Sequence, residues 1–178
     1  MTWKAFHNRG ETLRTVITVA AERRDGILPM DLPGVSERFH DELDLLGALQ
    51  LKWHTRLAGH IESELSVQPW ELRSAVATGW ALTADEMPGV RLIIDHYRDH
   101  PVDDAMAQAL ARSTAKEHYF LAVMAGQAAL GRAEGRVVGA EIEQEARKIR
   151  AAESVHDAPV DNGPRRPLIE RLRAVVAA

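Results

Sequence analysis

Two Glu-x-x-His tetrads, Glu37 to His40 and Glu153 to His156, are the residues of this chain best spaced for metal chemistry. Helical positions three apart share a face, so each tetrad can aim a carboxylate and an imidazole at one point. A third acid, Glu117, falls inside an otherwise apolar stripe of helical spacing: Met106, Leu110, Ser113, Glu117, Leu121, Met124 and Ala128. A buried carboxylate needs a cation, a metal or a proton, because desolvation disfavours the bare charge. His96 and His100 lie four apart and form a second candidate metal pair. The residue between them that HExxH chemistry would require to be Glu is Tyr97, so a metalloprotease is not expected.

The first set resembles, in pattern only, the ferritin-like di-metal carboxylate bundles, where two helices each give a Glu and two others each give Glu-x-x-His. The resemblance covers isolated positions and leaves the second inward Glu unassigned. It implies a divalent metal (Fe, Mn or Zn) held by Glu37, His40, Glu117, Glu153 and His156. Chance weighs against it. With 8 His in 178 residues, about 0.7 such tetrads arise at random, so two are ordinary. Both also lie near helix ends, beside Pro33 and Pro159, whereas ferritin-like ligands project from mid-bundle. The competing expectation is that Glu117 pairs with an arginine, or tilts to solvent past Ser113, and that no cofactor is resident.

The elements that must position these groups read as helices. Residues 36–66 carry Phe39, Leu43, Leu46, Gln50, Trp53, Leu57, Ile61 and Leu65 at steps of three and four, with no proline. This predicts one central helix of about eight turns. Leu45, Ala48, Leu49 and Leu51 widen its apolar surface towards the full circumference, which predicts burial by neighbours on several sides. A first helix is expected over 2–24, closed by Arg23, Arg24 and the exit glycine Gly26. A third starts at Pro69, with Pro in its first turn, and a short fourth runs from Val90 to the break at His100-Pro101. A second long helix is expected over 102–130, a loop over 131–135, and a further helix over 136–155. Asp31-Leu-Pro33-Gly34-Val35 is echoed by Asp85-Glu-Met-Pro88-Gly89-Val90, which suggests one helix-entry device used twice. Gly47, Gly59, Gly79 and Gly126 fall inside helices, where close helix approach is one reason to keep them.

No segment alternates at period two. The expected class is all-α, an antiparallel bundle of five or six helices around the long central one. Residues 1–157 form that domain, and 158–178 a turn-rich linker with a short amphipathic end helix.

Composition narrows function by exclusion. With 46% hydrophobic and 27% charged residues the chain should fold. The absence of cysteine removes disulfides, zinc-thiolate sites and thiol catalysis. There is no signal-peptide core and no apolar run of membrane length, so a cytoplasmic location off the membrane is expected. A net charge of −4 argues against a nucleic-acid footprint, although Arg165, Arg166, Arg171 and Arg173 make the tail locally basic. The Ala- and Arg-rich usage fits a bacterial source. Phosphate-loop, dinucleotide and nucleophile-elbow motifs are missing.

Three readings remain. The first is a non-enzymatic interaction or scaffold protein, a homodimer or other homo-oligomer with a protein partner. The second is the ferritin-like metal bundle. The third is a small-ligand-sensing helical domain, to which Gln50, His60 and Glu117 would give polar inward groups.

Overall fold

The computed structural model describes residues 3–127 and 132–156, with side chains over 9–127 and 133–152. Among the described residues it is all-helical. The helices are α1 (Trp3–Arg23), α2 (Val35–Arg38), α3 (Glu42–Val67), α4 (Leu72–Glu86), α5 (Pro88–Asp99), α6 (Asp104–Met124) and α7 (Arg132–His156). None is long and apolar enough to cross a membrane. The expected segment 158–178 lies outside the described residues.

Two antiparallel hairpins form the body. The turn at 68–71 folds α4 back along α3, and α7 returns along α6. The hairpins meet through α4 and α7, whose contacts advance together along both helices. Arg73 meets Glu141 and Glu145, and further along Asp85 meets Arg150. These two helices therefore run in the same direction. The short α5 bridges the hairpins, and α1 packs along it. Trp53, Trp80, Leu57, Ile61, Met106, Leu121 and Ile142 fill the core between them.

The central rod is shorter than its apolar period suggests. Phe39 is extended (φ −118°, ψ 127°), so Ser36, Glu37 and Arg38 belong to the separate turn α2. Asp41 then caps α3, its carboxylate accepting from the Asp44 amide at 2.7 Å. Phe39 is still buried, under the Arg9 guanidinium 4.3 Å from its ring centroid. The break thus preserves the apolar stripe while changing the backbone. Nor is α3 enclosed all round: Leu51 is 70% exposed.

Other boundaries move for local reasons. Pro69 lies in the turn before α4, not in its first turn. The α6 helix ends at Met124, not at residue 130, and is followed by Gly126 at φ +71°. Of the expected loop at 131–135, residues 132–135 are already α7. The two Pro-Gly-Val entries also differ. Gly34 is left-handed (φ +84°), whereas Gly89 is helical and pressed on α1, where a Cβ would lie 2.1 Å from the Ala20 carbonyl carbon. Of the glycines expected at close approaches, Gly79 is one, against Ile61. Gly47 and Gly59 have open space. The tightest crossing is Gly139 against the His118 carbonyl.

Candidate functional site

Glu117 sits mid-way along α6 and is 6% exposed. Its position in the α6 stripe turns it into the core, where α3, α4 and α5 each supply a donor. Trp53 Nε1 donates to Oε2 at 3.0 Å, and Trp80 Nε1 donates to Oε1 at 3.1 Å. The Arg91 guanidinium donates to Oε1 at 3.3 Å. His54 Nε2 lies 3.0 Å from Oε2. Two contacts per oxygen use the acceptor capacity of a carboxylate. Burial opposes ionisation of Glu117, but the His54 N–H, the Arg91 charge and the Trp80 indole outweigh it and hold the carboxyl below its ordinary range. An ionised carboxylate has no proton to give. His54 Nε2 must therefore be the donor, which leaves Nδ1 as the ring's second nitrogen.

Behind Glu117 lies a closed ion network. Arg91, 2% exposed, reaches Asp95 through Nε and Nη2, with Glu143 at 3.8 Å. Arg147 bridges Asp95 and Glu143, and Arg98 contacts both. His118 Nε2 lies 2.7 Å from a Glu143 carboxylate oxygen. Glu117, Asp95 and Glu143 are thus matched by Arg91, Arg98 and Arg147. Burial works against each charge, yet their mutual pairing prevails: Asp95 and Glu143 are held low and Arg91 and Arg147 high. The two indoles wall the network. Trp53 and Trp80 meet edge-to-face at 5.6 Å, and the Arg91 guanidinium lies 5.0 and 5.2 Å from their ring centroids. No buried side-chain polar atom among the described residues lacks a partner.

The other face of His54 opens into a groove of about 510 Å³ between α3 and α6. Gly47, Gln50, Leu51, His54 and Ala58 line it from α3. Ala109, Arg112, Ser113, Lys116, Glu117 and Phe120 line it from α6. Each wall is a helical stripe about 16 Å long at 1.5 Å per residue. Gly47, Ala58 and Ala109 are small enough to leave the space, and Leu51 and Phe120 make it apolar. Gln50, expected as a buried polar point, is half-buried on this wall.

The sequence-derived candidates separate in space. Glu37 is exposed on α2 and His40 exposed before α3, whose Asp44 accepts from the His40 amide. Glu153 and His156 belong to the last turn of α7, and their side chains lie outside the described residues. Glu117 is in the core, its charge met by Arg91. His96 and His100 do share a face, with stacked rings 5.2 Å apart. Among the described residues, no three His, Asp or Glu side chains are grouped where they could hold a metal ion. His60, an inward candidate, bonds Glu86 at 2.8 Å. Arg91 with Asp95 and Arg147 with Glu143 are i, i+4 pairs within α5 and α7, but their union into one network crosses helices and does not follow from spacing. A legible signal for it is those two spacings, together with Arg91 between Val90 and Ile93 on a face that buries.

No family model matches the chain, and no curated protein or solved structure is significantly similar to it.

Proposed function

We propose that this is a small-ligand-binding helical domain whose binding site is the α3–α6 groove. The observation that supports it is His54, fixed through Nε2 by a saturated, ionised Glu117 and facing an elongated apolar groove. A volume of about 510 Å³ falls within the roughly 300–1,000 Å³ common for small-molecule sites. Convergent polar groups among apolar walls are the usual composition of such sites. The buried ion network makes the floor rigid, so the groove is formed before a ligand arrives. A neutral apolar fluorophore, N-phenyl-1-naphthylamine, tests this directly. Its emission should rise on binding the native chain, and Ala58→Trp or Ala109→Trp, which fill the groove, should abolish the rise. Equal emission from the native and both filled variants would refute the reading.

A second reading, a protein-interaction module, is favoured by the α3–α4 turn. Trp70 there is 94% exposed, beside exposed Val67 and Leu72. Tryptophan standing free of the core is typical of interface anchors. Light scattering on the native chain and on Trp70→Ala decides whether self-association is the partner. A concentration-dependent dimer lost in W70A supports it, and a monomer in both removes it.

A further inference from the structure

Resting on the groove reading, the charges around the groove specify its ligand further. Arg112 and Lys116 lie one turn apart on α6 and both line the groove. Neither has a hydrogen bond or ion pair among the described residues. Several other arginines close on carboxylates, Arg73 on Glu145, Arg23 on Asp31, Arg56 on Glu86 and Arg147 on Asp95, whereas Arg24 bonds only the Ala21 carbonyl. The one carboxylate on the groove wall, Glu117, is matched by Arg91 on the side away from the groove. The groove therefore carries two uncompensated positive charges on an otherwise neutral, largely apolar surface. A planar guanidinium and an ammonium one turn apart suit a bidentate-plus-point contact to an anion. Leu51, Ala58, Ala109 and Phe120 give a ligand's body apolar wall, with Gln50, His54 and Ser113 as the neutral polar groups among them.

We infer that the groove takes a free single-chain amphiphile with a carboxylate-type anionic head, the head held by Arg112 and Lys116 and the chain lying between α3 and α6. An elongated slot fits a single chain better than a fused-ring body, because its two walls, over 47–58 and 109–120, are helical stripes of equal length.

Titration calorimetry on the full chain tests this, with dodecanoate, dodecanol and dodecyltrimethylammonium below their micelle concentrations. Dodecanoate should bind one to one, at least tenfold more tightly than the alcohol or the cation. Arg112→Met and Lys116→Met keep apolar stems and remove charge, and each should lower the preference for dodecanoate over dodecanol roughly three- to tenfold. If all three amphiphiles bind alike and neither variant matters, the charge inference is overturned while the groove reading stands. If dodecanoate binding survives Ala58→Trp and Ala109→Trp unchanged, the groove is not its site and the inference is overturned. Sedimentation with phosphatidylglycerol vesicles supplies the last arm. Vesicle binding that depends on Arg112 and Lys116, with no binding of monomeric dodecanoate, would assign the charges to a membrane surface instead.

Discussion

Replacing Glu117 by Gln should destabilise the fold by about 3–5 kcal/mol, the cost of breaking a buried ion pair from one side. The carboxylate accepts from Trp53, Trp80, Arg91 and His54. A glutamine has one oxygen, and its amide nitrogen would face two of those donors. Arg91, 2% exposed, would keep its charge with one counter-ion fewer. For a chain of this size each kcal/mol shifts Tm by about 2–4 °C, so E117Q should melt about 6–20 °C below the native protein. Urea unfolding followed by far-ultraviolet circular dichroism measures the difference at 25 °C. The cycle of E117L, R91M and the double variant then isolates the pair, with an expected coupling of about 1–3 kcal/mol. A loss below 1 kcal/mol in E117Q, with no coupling in the cycle, would mean that the carboxylate does not organise the core.

Acid should destabilise the protein through the same network. Glu117, Asp95 and Glu143 are held below their ordinary values, so each stabilises the fold above the unfolded carboxyl range. That contribution begins to fall away near about pH 4–5 and is lost as pH drops through the folded values. A Tm that stays flat from pH 7 to pH 3 would contradict this. Gly139→Ala should cost at least about 1–3 kcal/mol by overpacking, because its Cβ would fall 1.8 Å from the His118 carbonyl oxygen. Gly59→Ala, with nothing within 4 Å, should instead stabilise α3 by up to about 1 kcal/mol. Equal Tm shifts for the two glycine variants would show that the α6–α7 crossing is looser than described.

The helical class and the α3 stripe were legible because both follow from spacing along one segment. Phe39, Leu46, Trp53, Leu57 and Ile61 are buried as their period requires, and Leu43, Gln50 and Leu65 are half-buried. The break at Phe39 was not legible, since an extended residue can keep its side chain in the same stripe. The end of α6 and the start of α7 differ from the expected bounds because the Ala- and Gly-containing sequence between them continues a helix as readily as it leaves one. In the site, Glu117 was recognisable by its polar intrusion into an apolar row, and an arginine partner was among its expected solutions. Its actual partners could not be read, since Trp53, His54, Trp80 and Arg91 come from three other helices. The groove was invisible for the same reason: Gly47 and Ala109 matter only once α3 and α6 are side by side. The Glu-x-x-His tetrads drew attention through local spacing, which says nothing of whether Glu37 and His40 face the core.

Nitrogen-15 spectroscopy of the histidine rings tests most directly whether Glu117 sets the state of His54. With imidazole-labelled protein at neutral pH, long-range nitrogen–proton correlations should show His54 protonated at Nε2, with that proton moved downfield by the carboxylate. The Nδ1 signal should shift when N-phenyl-1-naphthylamine fills the groove. A His54 that carries its proton on Nδ1, or whose signals ignore both E117Q and the fluorophore, would contradict the account.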